Sequence, residues 1–149
     1  MKKLFIYYSQ SGNGDSLCEL MKAKGFDIVK VETVKPIKKM NFFRILRYGG
    51  EAMMKKKRPI KPIELRLEEY DHIFIGSPIW NDRLATPILT LLSEFEFDKE
   101  NTKFILYSGG GSAKHAEAQL KQMGFKWDPI VLKQPLKYPD EAKEALEHL

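Results

Sequence analysis

The sequence predicts a single α/β domain: an open, largely parallel sheet with helices on both faces. Three observations predict it. Short apolar runs alternate with amphipathic helical patterns along all 149 residues. Three of the runs are continuously apolar or aromatic, the pattern of strands buried on both faces of a parallel sheet. No low-complexity linker, internal repeat or composition shift divides the chain, and repeated strand–helix–strand units favour right-handed crossovers onto one sheet.

The elements follow in order. Residues 3–8 (KLFIYY) form the first strand, and Leu17, Leu20 and Met21 then share one face of a first helix after Gly14-Asp15-Ser16. Residues 28–32 (IVKVE) form a mixed, edge-like second strand. Residues 41–57 carry a helical pattern with Phe42, Ile45 and Leu46 inward, interrupted at Gly49-Gly50, and Pro59 and Pro62 make an extended connector. The third strand is 72–76 (HIFIG). Ile88, Leu91, Leu92 and Phe95 then give the spacing of an amphipathic helix, with Thr86 as its cap and Pro87 in its first turn. A fourth strand at 103–107 (KFILY) precedes a helix capped by Ser112, with Ala113, Ala116, Leu120 and Met123 inward and Gly124 as its stop. The fifth strand is the short 130–132, and Pro139 opens a last helix with Ala142, Ala145, Leu146 and Leu149 inward.

Composition bounds the setting. Hydrophobic residues at 43% and charged residues at 30% are the balance of a globular chain. The single cysteine, Cys18, excludes an intramolecular disulfide framework and fits a buried structural thiol on the apolar side of helix one. His72, His115 and His148 lack metal-ligand spacing and read as surface residues. No apolar run is long enough for a signal-peptide core or a membrane span, so a cytoplasmic protein is expected. The net charge of +5 is uneven. Residues 35–66 hold 11 Lys+Arg against 2 Glu, a local net of +9, which leaves the remainder mildly acidic at −4. Such a segment is either a solvated face or a surface for an acidic partner.

In open α/β sheets, ligands bind beyond the carboxyl ends of strands where strand order reverses. Three loops lie there. The first, Ser9-Gln10-Ser11-Gly12-Asn13-Gly14, offers backbone amides, two hydroxyls and a helix start, which suit a phosphate. The second, Gly76-Ser77-Pro78-Ile79-Trp80-Asn81-Asp82, places a flat ring at the ligand edge, and a flat ring stacks on another. The third, Ser108-Gly109-Gly110-Gly111-Ser112, permits close backbone approach. Each loop alone also reads as an ordinary turn. Together they fit one ligand, a phosphorylated planar heterocycle.

On these three motifs the chain resembles the flavodoxin-like family over essentially its whole length, and the stretch from Arg47-Tyr48-Gly49-Gly50 to Pro59 is similar to the second-helix region of short members. The resemblance implies a flavodoxin-like three-layer sandwich on a five-stranded parallel sheet of order 2-1-3-4-5. It also implies noncovalent FMN, with phosphate on Ser9, Gln10, Ser11, Gly12, Asn13 and Gly14. Trp80 would stack on the ring beside Ser77, Pro78, Ile79 and Asn81. Ser108, Gly109, Gly110, Gly111 and Ser112 would hold the pyrimidine end. Many members have Thr where Gly14 stands, a second aromatic in the third loop, and Gly-Asp where Asn81-Asp82 stand.

The expected function is an electron carrier serving redox partner proteins, acidic ones if 35–66 is the docking segment. No catalytic or metal-binding residue is expected. A small FMN-dependent NAD(P)H or quinone oxidoreductase is the alternative on the same fold. Gly12-Asn13-Gly14 with Glu32 is a partial dinucleotide-binding pattern, but Leu17 occupies its third glycine position. A nonenzymatic module binding nucleic acid through 35–66 is the remaining alternative, and such binding falls steeply with salt.

Overall fold

A computed structural model of the chain describes residues 1–35 and 57–149. The helix expected over 41–57, with Phe42, Ile45, Leu46 and Gly49-Gly50, lies, but for Lys57, outside the described residues. Strands β1 (Lys3–Tyr7), β2 (Phe26–Lys30), β3 (His72–Trp80), β5 (Thr102–Ser108) and β6 (Ile130–Lys133) form a parallel sheet in the order β2-β1-β3-β5-β6. This is the expected 2-1-3-4-5 order, counted over the long strands. A sixth, two-residue strand, β4 (Arg83–Leu84), pairs antiparallel with the end of β3.

Each face of the sheet buries its own core. Leu4, Ile6, Ile73, Ile75, Phe104 and Leu106 pack with Ile88 and Leu91 of α2 (Thr86–Glu94) and Ala116 and Leu120 of α3 (Lys114–Gln122). Phe5, Phe74, Ile105 and Tyr107 face the other way, onto Leu17, Met21 of α1 (Cys18–Ala23), Ala142 of α4 (Pro139–Ala145) and Leu146. The alternation of neighbours such as Leu4 and Phe5 between two apolar layers is why these strands read as continuous apolar runs.

Several boundaries differ from expectation. β2 starts two residues early because Phe26 pairs with Lys3 and packs edge-on against Phe74, with ring centroids 5.5 Å apart. The first helix begins with a 3-10 turn, Asp15–Leu17, so α1 is only six residues long. Thr86 is not the cap of α2. Ala85 holds that position, its N–H donates to Ser77 Oγ at 3.2 Å, and Thr86 is fully buried inside the first turn. Ala113, not Ser112, precedes α3. Ala145 is exposed, whereas Ala142 and Leu146 are buried. Gly124 stops α3 as expected, with φ +89°.

Tyr7 and Tyr107 are both nearly inaccessible. Burial pushes the Tyr7 phenol up, reinforced by its hydrogen bond to Asp15, and burial likewise pushes Tyr107 well above the ordinary phenol value of 10.0. A phenol raised in the folded state contributes stability that is complete below the unfolded value and disappears as pH rises through the folded one. At least two of the six tyrosines are therefore expected to ionise only as the chain unfolds in alkali. Phenolate absorbance followed together with circular dichroism checks this, and six tyrosines titrating near 10 in an intact fold would contradict it.

Candidate functional site

The strand order reverses between β1 and β3: the chain steps from β1 outward to β2, then crosses back to the other side of β1. The loops after β1 and β5 and the end of β3 lie at that edge. Their contacts tie them together. Tyr107 at the end of β5 donates its hydroxyl to the carbonyl of Tyr8, beneath the first loop. The rings of Tyr8 and Trp80 meet edge to face at 6.0 Å.

The first loop is braced internally. Gly14 N–H donates to Ser9 Oγ at 3.0 Å, Asn13 Nδ2 to Ser11 Oγ at 3.3 Å, and Ser16 Oγ to the Asn13 carbonyl at 2.6 Å. Among the described residues, the backbone N–H groups of Ser11, Gly12 and Asn13 have no protein acceptor. Gly14 is helical in φ and ψ, so glycine is there for space. A Cβ at 14 would sit 2.6 Å from the Tyr107 hydroxyl and 2.7 Å from Tyr7 Cδ2. The position that many flavodoxin-like chains give to Thr is closed to any side chain here by these two tyrosines.

Charge at this loop is balanced within the protein. Asp15 accepts from the Tyr7 hydroxyl at 2.6 Å and from Lys30 Nζ at 2.8 Å. Burial acts to raise the Asp15 carboxyl, but these two donors outweigh it and hold it below the ordinary range. Cys18 is half-buried, its thiol 3.8 Å from the Gly14 carbonyl oxygen.

The second segment is strand, not loop. Ser77, Pro78, Ile79 and Trp80 extend β3, and Asn81 and Asp82, at φ +49° and +62°, turn the chain into β4. Two positive φ values in a two-residue loop are what a type I′ hairpin requires, and Asn and Asp are among the residues that tolerate them. Ser77 is fully buried, and its hydroxyl donates to the Pro78 carbonyl while accepting from Ala85. Trp80, expected as an open stacking plate, is 5% exposed. Arg83 donates to the Asn81 carbonyl at 3.1 Å.

The hairpin is fastened to α3. The Asp82 carbonyl accepts from Ala116 N–H at 2.8 Å, and its carboxylate lies 2.5 Å from His115 Nδ1 and accepts from His115 N–H at 3.3 Å. The His115 side-chain contact holds the Asp82 carboxyl below its usual range. Leu84 N–H donates to Gln119 Oε1 at 2.9 Å in the interior. The start of α3 thus takes its cap from a residue some thirty positions away in the chain, which explains why Ser112 is not needed for it.

In the third loop, Gly111 N–H donates to Ser108 Oγ at 2.7 Å. Gly109 and Gly110 have ordinary φ, and a Cβ on either would meet nothing within 4 Å. The chain's own packing therefore does not require glycine at either position.

The family model for flavodoxin matches residues 2–137. The chain belongs to the flavodoxin family. Flavodoxin-like neighbours among solved structures cover nearly the whole chain. A candidate flavoprotein from Bacteroides eggerthii DSM 20697 is 21% identical over 99% of both chains, with a TM-score of 0.76. A flavoprotein from Lactobacillus acidophilus NCFM, solved in complex with FMN, is 21% identical over 95% of this chain and 99% of that one, TM-score 0.68. A candidate flavoprotein from Bacteroides uniformis ATCC 8492 is 21% identical over 94% and 97%, TM-score 0.67. No curated protein matches the chain. Among the described residues there is no group of three or more His, Cys, Asp or Glu side chains placed to hold a metal ion, and no helix long and apolar enough to cross a membrane.

One contributor to this edge was not visible in the sequence. The loop after β6, residues 134–138, reaches both the first and the third loop. Its composition, Gln-Pro-Leu-Lys-Tyr, carries no ligand signal, and only the position of β6 beside β5 brings it there.

Proposed function

We propose that this flavodoxin-family chain binds FMN noncovalently at the carboxyl edge of its sheet and carries electrons between redox proteins. The observation that carries the reading is the first loop. It follows the central strand β1 at the switch point and keeps the amides of Ser11, Gly12 and Asn13 without protein acceptors among the described residues. Amide donors at such an edge suit a phosphate and need no basic side chain. The open backbone at Gly109 and Gly110 suits the ring. A structural relative solved with FMN supports the same choice. The residues present therefore fit the cofactor: 9–14 for the phosphate, 108–112 for the ring edge. Trp80 joins them only if binding uncovers its face. When bound, the flavin supplies the electron-carrying ring, and the chain supplies binding, orientation and control of water access.

Titration with FMN and with riboflavin tests this reading. FMN is expected to bind at least about 100-fold more tightly, because several amide hydrogen bonds to a charged phosphate are lost with riboflavin. Equal affinities would remove the phosphate role from residues 9–14, and no binding of either ligand would end the flavin reading.

The partner is an acidic protein in this proposal, supported by the local net charge of +9 over residues 35–66. Electron transfer with such a partner is expected to slow steeply as salt is raised, since surface attraction is screened beyond about 8–10 Å at moderate ionic strength. A rate indifferent to salt would argue against it.

A further inference from the structure

The loop after β6 does more than close the sheet edge. Gln134 N–H donates to the Ser108 carbonyl at 3.1 Å, and its side-chain Nε2 donates to the Gly109 carbonyl at 3.0 Å. Two residues on, Leu136 N–H donates to Asn13 Oδ1 at 3.1 Å. The result is one continuous bridge from Asn13 through residues 134–136 to Gly109, joining loops that are nearly a hundred residues apart in the chain. We infer that residues 134–136 are a clasp that sets the spacing of the first and third loops, with Asn13 and Gln134 as positioning residues.

Three features support a built clasp. Gln134 has φ +39°, a conformation that favours glycine, and the turn is closed by Lys137 and Tyr138 N–H groups donating to its carbonyl at 2.8 and 3.0 Å. Glycine would relieve that backbone but would remove the side chain that holds Gly109. Leu136 is 57% exposed, unusual for a leucine, yet its Cδ2 lies 3.4 Å from where a Cβ on Gly12 would be. Its backbone, not its burial, fixes it, and a side chain at Gly12 would crowd it. Beneath the loops, the Tyr107 hydroxyl on the Tyr8 carbonyl also links them, and the clasp adds its bridge above that point.

The purpose of the spacing rests on the FMN reading; the clasp itself does not. Amide hydrogen exchange on the full chain without FMN tests the clasp. Asn13→Ala is expected to speed exchange at Leu136 and also across residues 108–111, and Gln134→Ala to speed it across residues 11–14. Asn13→Asp keeps the acceptor for Leu136 and is expected to restore exchange near the wild-type rate. In FMN titrations, Asn13→Ala or Gln134→Ala should each weaken binding about fivefold to tenfold, and the double variant little further, because both side chains serve the same bridge. Exchange effects confined to the substituted loop, or affinity losses that multiply, would overturn the clasp. A wild-type chain that does not bind FMN would overturn the flavin reading and leave the exchange result to decide the clasp.

Discussion

Replacing Gly14 by alanine is expected to lower folding stability by about 1–3 kcal/mol, a large effect for one methyl group. The backbone at 14 is helical, so alanine is compatible with its φ and ψ, and intrinsic propensity would favour the change. Space decides otherwise. The new Cβ would lie 2.6 Å from the Tyr107 hydroxyl, 2.7 Å from Tyr7 Cδ2 and 2.9 Å from Ser9 Cβ. Tyr107 is buried and its hydroxyl donates to the Tyr8 carbonyl, so it cannot withdraw without losing that hydrogen bond. Tyr7 is held through Asp15 to Lys30. The relaxation left is a shift of the first loop itself, so loss of FMN affinity should accompany the loss of stability. Urea unfolding of Gly14→Ala beside Gly14→Ala/Tyr107→Phe measures it. Against Tyr107→Phe alone, which lacks both the closest contact and the Tyr8 hydrogen bond, adding Gly14→Ala should cost less than it does in the parent. An unchanged midpoint in Gly14→Ala would show that the tyrosines do not fill this space.

Trp80→Ala is expected to cost about 3–5 kcal/mol, the range for emptying the site of a buried aromatic. Trp80 is 5% exposed, sits opposite Arg83 in the β3–β4 hairpin and packs edge-on against Tyr8. An open stacking plate would behave differently: its removal would leave the ligand-free protein as stable as before and weaken only binding. Unfolding of the ligand-free variant by denaturant separates the two. Trp80→Phe, which keeps most of the packing, then reports the ring's part in binding alone. A ligand-free Trp80→Ala as stable as the parent would return Trp80 to a purely ligand-facing role.

The two substitutions mark where sequence reasoning reached and where it stopped. The sheet was legible because both its faces are covered. Leu4-Phe5-Ile6 alternate between two apolar cores, which produces continuous runs and, with the helices between, a parallel three-layer arrangement. The two longer helices, α2 and α3, were legible from their apolar stripes, and Gly124 as a stop. The caps were not. Thr86 and Ser112 have the right chemistry in the right local place, but the ends of α2 and α3 meet Ser77 and Asp82 from elsewhere in the fold. A local pattern cannot show a competitor supplied from another strand.

The candidate site divides the same way. The amides of residues 9–14 and the glycines at 109 and 110 could be named from sequence, since backbone donors and absent side chains are properties of the residues themselves. That Trp80 is buried, that Ser77 is spent on Ala85 and Pro78, that Gly14 answers to Tyr107, and that residues 134–136 join two loops are properties of neighbours. Fold class, the strand order through family resemblance, and the loops that end the central strands could be read from the residues themselves. Which of those loop groups are already engaged could be read only from tertiary contacts. Hydrogen-bond capacity is local, but whether it is already used depends on contacts between residues far apart in the chain.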